Sequence, residues 1–157
     1  MQVHPNRFRD SGERLENFAD LFLVECPNCS KLCQIRAHPN KQKTDTIEIF
    51  QPRRATCAGC GFTREWAATR LTKRECYDWY FGLPLWLQSP CCGEILWAFN
   101  AKHLDFLESY FVATIREQKP NVNRSVISRL PLWMKDPKNR NNLLRAVASL
   151  RKRLPQD

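Results

Sequence analysis

The stretch ECPNCSKLC, residues 25–33, places three cysteines within eight residues. Cys26 and Cys29 are spaced as CxxC, and Cys57-Ala-Gly-Cys60 repeats that spacing. Twenty-seven residues separate Cys29 from Cys57. A two-residue gap lets one tight turn aim both sulfurs at a single ion, and two such turns facing each other close a tetrahedron of thiolates. Cys26, Cys29, Cys57 and Cys60 are therefore the expected ligands of a structural Zn2+. A thioredoxin-like redox pair needs one CxxC at the start of a helix in a βαβ pattern, which is not the setting here. Iron in the same four sulfurs, as in a rubredoxin-like electron carrier, fits the same ligands and stays open as an alternative.

Outward from the cysteines, the neighbouring segments read as strands: Leu21–Val24 is an apolar run, and residues 31–36 alternate as half-buried strands do. Leu21–Val24 leads into the first knuckle, and residues 31–36 lead out with Cys33 and Ile35 on one face. Residues 46–50 alternate again, and residues 61–67 leave the second knuckle. Pro27 stiffens the first turn, and Gly59 and Gly61 are expected to relieve the second where positive φ is needed. Cys33 and Cys76 read as small buried hydrophobes. Cys91 and Cys92 are adjacent, so an extended chain would splay them apart. A second metal site there would need partners such as His103 or Cys76, and no base accompanies Cys91 as a nucleophile.

The rest reads as helix and hairpin. Residues 11–20 suggest a short helix with Ser11 as N-cap, and 71–82 fits either a helix or a strand. Residues 83–88 and 94–99 form a hairpin around SPCCG, with Pro90 and Gly93 supplying the turn. Asn100 caps a helix with Leu104, Leu107, Tyr110, Phe111 and Ile115 on one face. Residues 119–123 break it, and a short helix is expected over 124–130. Asp136 as N-cap and Pro137 at the first position open a last helix. Its apolar side carries Leu143, Val147, Leu150 and Leu154. Lys138, Arg145 and Lys152 lie opposite, with Arg153 beside them and Arg140 and Arg151 flanking.

The fold class expected is α+β: an antiparallel ribbon sheet, a further hairpin and a C-terminal helical region. The expected divisions are an N-terminal lead-in over 1–20, the ribbon over 21–70, a connecting segment and apolar hairpin over 71–100, and a basic helical region over 101–157.

The net charge is +9, and residues 119–157 alone hold 10 Lys/Arg against 2 Asp/Glu. Such a segment points to a polyanion partner, nucleic acid before a membrane surface. Lys138, Arg145, Lys152 and Arg153 are the candidate phosphate contacts, and Trp133 is the candidate stacking residue. A protein-interaction adaptor in a larger complex, using the ribbon and the apolar hairpin, is the alternative. The polar, charged start lacks a secretory h-region and no apolar run spans a membrane, so the expected compartment is the cytoplasm. His4, His38 and His103 are far apart in sequence, and no HExxH, P-loop, GxGxxG or nucleophile elbow is present. No enzyme activity and no small-molecule substrate are expected.

The knuckle pair followed by CAGCGFTREW resembles the zinc ribbon of transcription-factor-IIB type over residues 22–67. The segments GLPLWLQSPCCGEILWAFNAKHLDFLESY and SRLPLWMKDPKNRNNLL resemble a family of small bacterial proteins labelled as zinc-ribbon-containing, some associated with replication-restart helicases. That resemblance implies a zinc ribbon and suggests nucleic-acid association. The first knuckle ends CPNCS where the common pattern has CxxCG, which bears on its turn geometry.

Overall fold

The alternating segments around the cysteines pair as an antiparallel sheet, while a run of three residues near the start pairs far downstream. The computed structural model describes residues 6–37, 49–66, 70–117 and 124–156. In chain order the elements are β1 (Arg7–Arg9), a 3-10 turn (Leu15–Phe18), β2 (Leu21–Glu25), β3 (Leu32–Ala37), β4 (Arg53–Thr56) and β5 (Thr63–Trp66). Then follow β6 (Leu87–Cys91), β7 (Glu94–Ala98), α1 (Ala101–Val112), β8 (Ile115–Glu117), α2 (Leu132–Lys135) and α3 (Arg140–Arg151), the last preceded by a 3-10 turn over Pro137–Asn139. The architecture is α+β. Antiparallel sheets, one of them housing the four cysteines, precede the C-terminal helices.

The ribbon sheet runs β2-β3-β4-β5. Phe22 pairs with Ile35 and Ile35 with Ala55, while Val24 pairs with Cys33. Partners directly opposite share a face, and all five of these residues are buried. The free edge of β2 is covered: Leu23 N–H bonds Phe99 O at 2.8 Å, Trp86 N–H bonds Leu23 O at 2.9 Å, and Glu25 N–H bonds Pro84 O at 2.9 Å. These bonds join the ribbon to the second hairpin and leave β2 no aggregation-prone edge on that side. Arg53 of β4 is buried, stands 4.5 Å over the Tyr80 ring and donates to Ala19 O. Burial pushes its guanidinium pKa below the usual value.

The β6–β7 hairpin forms as expected, but with a tighter turn. Cys91 pairs with Glu94, so the two-residue turn is Cys92-Gly93. Both have positive φ, 56° and 77°, as the turn favoured by the twist of flanking strands requires. Pro90 lies inside β6 opposite Ile95 and supplies no turn. Asn100 caps α1, its side chain accepting from His103 N–H at 2.9 Å. Its amide group also donates to Phe18 O and Leu21 O, at 2.8 and 2.7 Å. One side chain thus ties the 3-10 turn, β2 and α1 together.

The expectations for Ile115, Ser11 and residues 124–130 need correction. Ile115 is not on the helix. α1 ends at Val112, because Ala113 is extended and the amides of Thr114 and Ile115 both bond Asn6 O. Ile115 opens β8, which pairs in parallel with β1. Ser11 caps nothing, since the first turn starts after Arg14 and is 3-10 in type. Residues 124–130 form turns, not a helix; Ser125 is spent on Asp10, donating to its carboxylate at 2.8 Å.

The segment 71–82 is neither helix nor strand. The Asp78 carboxylate accepts from the amides of Tyr80, Phe81 and Leu83, offering the backbone an alternative to helical bonding. Of the strand expected over 46–50, residues 46–48 lie outside the described residues and residues 49–50 lie in a turn. His4 and His38 also lie outside the described residues.

α3 packs on α1 and β6. Leu143, Val147 and Leu150 are buried as expected. Among the described residues no helix is long and apolar enough to cross a membrane.

Candidate metal centre and basic surface

The two knuckles are built from the same backbone bonds. Cys26 O accepts from Ser30 N–H and Cys57 O from Gly61 N–H, each at 2.9 Å. Cys26 N–H donates to Lys31 O at 2.7 Å and Cys57 N–H to Phe62 O at 2.9 Å. The fourth residue after each leading cysteine takes positive φ: Ser30 at 63° and Gly61 at 77°. CPNCS therefore makes the same turn as CAGCG, with serine held in the left-handed region that glycine normally fills. Gly59 lacks positive φ. A Cβ there would make ordinary van der Waals contact, 3.4 Å from the Lys31 side chain and 3.7 Å from Cys57 Sγ, so neither positive φ nor close approach demands glycine at this position.

The turns bring four sulfurs together. Sγ atoms of Cys26, Cys29, Cys57 and Cys60 all lie within 4.8 Å of one another. Cys26 Sγ is 3.7 Å from Cys60 Sγ, and Cys29 Sγ is 3.6 Å from Cys57 Sγ. An ion with thiolate arms of about 2.3 Å separates its sulfurs by about 3.8 Å in a tetrahedron. The cluster is therefore able to chelate a metal ion with little movement. Four protein sulfurs leave no open coordination position for chemistry.

The surroundings favour the charged form at one ligand. Asn28 donates from Nδ2 to Cys60 Sγ at 3.4 Å. That bond, with the Phe62 amide, draws the Cys60 thiol down to about 6. Cys29 moves the other way: the Lys31 amide lowers it, but burial and the neighbouring thiols outweigh that and push it up to about 12. Of these two thiols, Cys60 gives up its proton before Cys29. A cation entering the cluster displaces the remaining protons.

The remaining cysteines stand apart. Cys33 is 0% exposed, paired across from Val24, and burial pushes its thiol up to about 11. It belongs to the core, as expected. Cys91 and Cys92 do not splay. Their sulfurs are 3.6 Å apart, because the pair spans a hairpin turn where the extended-chain argument fails. Among the described residues no third ligand joins them. His103 is buried in the aromatic core, stacked 5.0 Å from Phe18, and its Nδ1 accepts from Phe99 N–H at 3.0 Å. Burial lowers its pKa to about 3.

The basic residues near the C-terminus divide into two groups. Arg140 donates to Phe111 O at 3.1 Å and Ala113 O at 3.2 Å, closing the carbonyl end of α1. Arg151 makes two bonds to Glu108, at 3.1 and 3.0 Å, and reaches Asp105 at 2.7 Å. Both are spent inside the protein. Lys138, Arg145 and Lys152 are exposed, and no carboxylate pairs with them among the described residues. Lys138 lies in the 3-10 turn before α3, Arg145 on α3, and Lys152 at its end. Arg153 is intermediate between the groups: exposed, yet 4.6 Å over the Trp86 ring and bonded to Gln88 O at 3.3 Å. Trp133 is half-buried against the core.

The sequence reading missed a cavity of about 520 Å3 between the 71–79 turn, β7, α1 and residues 124–134. Its walls come from segments distant in sequence, so no local pattern marks it. Compared with known proteins, the chain matches no family model, no curated protein and no solved structure.

Proposed function

We propose that this chain is a non-enzymatic zinc-ribbon protein that binds nucleic acid along its basic C-terminal segment. In this reading Cys26, Cys29, Cys57 and Cys60 hold Zn2+ as a folding device. Lys138, Arg145, Lys152 and Arg153 meet phosphates. The observation that carries the reading is the contrast among the C-terminal cations: Arg140 and Arg151 are consumed by internal partners, whereas Lys138, Arg145 and Lys152 are exposed without a carboxylate among the described residues. Cations left in water on one segment supply the sequence-independent affinity of a phosphate-tracking surface.

The protein-docking alternative has less support. Leu85, Leu87, Leu96, Ala98 and Phe99 of the apolar hairpin region are buried in the core, leaving Ile95 at 45% exposure. Binding to heparin and to DNA or RNA, followed across a salt series, separates the readings. Retention that falls steeply with salt and is lost in the triple variant Lys138→Ala, Arg145→Ala, Lys152→Ala supports nucleic acid. Binding unchanged by that variant removes the assignment, and a protein partner retained at high salt favours docking. Metal analysis decides the ion: a colourless protein with one zinc per chain agrees with the proposal, and a red one signals iron.

A further inference from the structure

The cavity of about 520 Å3 is the size of a small-molecule pocket. Three of the five tryptophans line it: Trp79, Trp97 and Trp133. The two tryptophans elsewhere donate their indole N–H to backbone carbonyls, Trp66 to Arg70 O at 3.3 Å and Trp86 to Arg153 O at 2.8 Å. The three in the cavity have no acceptor among the described residues.

His103 joins them. With Nδ1 accepting from Phe99 N–H, the neutral ring carries its proton on Nε2, and that donor also has no acceptor among the described residues. Buried indole and imidazole groups normally find a partner. Trp79 and His103 are buried, yet their ring nitrogens are not among the sealed, unbonded polar atoms of the protein. They reach accessible space, and the space these side chains line is the cavity.

The rim carries both signs of charge. Lys73 is occupied, 2.8 Å from Glu16 and 4.7 Å over the Trp79 ring. Arg74 lies 3.7 Å over Tyr77. Arg124, Arg129, Glu75 and Glu94 are exposed and have no ion-pair partner among the described residues.

An apolar ligand would leave the four ring donors unpaired, at a cost for each. A bare anion would not use the indole faces and would meet Glu75 and Glu94. A planar heterocycle with ring acceptors, exocyclic amines and a phosphate uses every part of the lining. We propose that this cavity binds a nucleotide, with the base against the indoles of Trp97 and Trp133 and the phosphate on Arg124 and Arg129. The base's acceptors meet the free ring N–H groups, and its amines meet Glu75 and Glu94. The nucleotide is either free or the unpaired end of a strand. The inference goes beyond the reading of the basic C-terminal segment and does not depend on it.

The test uses the metal-loaded full chain labelled with 15N. Adenosine, guanosine, cytidine and uridine monophosphates are titrated, with ribose 5-phosphate as the control lacking a base. The expected result is saturable movement of the indole N–H signals of Trp79, Trp97 and Trp133, with Trp66 and Trp86 unmoved and no response to ribose 5-phosphate. The double variant Arg124→Gln, Arg129→Gln should weaken binding by about tenfold or more. Both arginines are exposed, so the fold should survive. If monophosphates have no effect at millimolar concentration but a short single-stranded oligonucleotide moves the same three indoles, the nucleotide belongs to a strand. No response to either overturns the proposal, as does a response shared by all five indoles or one indifferent to the arginine variant. The titration is repeated on the triple alanine variant of Lys138, Arg145 and Lys152. A pocket response retained there separates failure of the pocket from failure of the basic segment.

Discussion

The two knuckles have the same bonds and unequal surroundings. The first lies between β2, three of whose five residues are buried, and β3, which sends Cys33 and Ile35 into the core. The second lies between β4 and β5, and β5 buries only Trp66. The core positions the first pair of thiols. In the second pair Cys57 is buried, as Cys26 is in the first, but Cys60 is exposed. β4 is anchored on β3 and buries Arg53 and Ala55, whereas β5 is the outer strand and pairs with β4 alone in the sheet. The difference teaches that packing fixes the first knuckle more firmly than the second, so a bound metal would matter most to the second.

Removing the metal is the strongest way to break that comparison. Binding at structural zinc sites is worth on the order of 10 kcal/mol, and it becomes folding energy. Chelation, or Cys57→Ser, should strip amide protection from residues 53–66 while α1 and α3 keep theirs, as read by hydrogen exchange. Uniform loss across both regions would show that the ribbon and the helices share one cooperative unit. No loss at all would show that packing suffices for both knuckles.

Asn100→Ala tests the other half. Its side chain bonds Phe18 O, Leu21 O and His103 N–H. Losing the cap and leaving two carbonyls short of a donor should cost about 3 kcal/mol. The urea midpoint should fall, with β2 and α1 losing protection together. A cost under about 1 kcal/mol would mean that the first knuckle does not depend on this tie.

How much of this was legible follows the range of the interaction. The knuckles, the apolar run of β2, the alternation of β3 and the Asn100 cap are local, so spacing and pattern reveal them. The cover on β2, the β1–β8 pair and the cavity depend on residues far apart in sequence. Arg53 carries a charge and no local pattern marks it as core, yet it is buried over Tyr80. Ile115 continues a helical period, and it leaves the helix because Asn6 O, just ahead of β1, takes its amide. Cys91 and Cys92 misled for a geometric reason, since a two-residue turn reverses the strand rule between them.

Acid should weaken the packed region in a way that one residue controls. His103 stays neutral in the folded chain down to about 3, while an unfolded histidine takes up a proton near 6.5. Between those values the unfolded state binds one more proton, so stability falls as pH falls, by about 1.4 kcal/mol per pH unit. Asp78 has its pKa raised by burial against opposing backbone amides, and its effect on stability has the opposite sign. The informative quantity is therefore the difference between wild type and His103→Gln, which keeps a polar group for Phe99 N–H but does not titrate. The variant should lose less stability between pH 6.5 and 5 in urea titrations of the metal-loaded protein. Parallel slopes would remove His103 from the acid response.

The smallest expected effect compares the knuckles directly. Ser30 at φ 63° and Gly61 at φ 77° occupy equivalent positions. A residue with a Cβ pays about 1–2 kcal/mol in the left-handed region, and Ser30 is exposed with no side-chain bond among the described residues to offset it. Ser30→Gly relieves that strain and gives back part of the gain, about 0.4–1 kcal/mol, as unfolded-chain entropy. The net is a stabilisation of about 0.5 kcal/mol. Gly61→Ala reverses the argument. A Cβ there meets nothing within 4 Å, so the whole loss is backbone strain less the entropy saved, a destabilisation of about 0.5 kcal/mol. Urea midpoints of the metal-loaded variants should move in opposite directions by similar amounts. If both fall, Ser30 does more in the first knuckle than fill a glycine position, and the equivalence of the two turns ends at their hydrogen bonds.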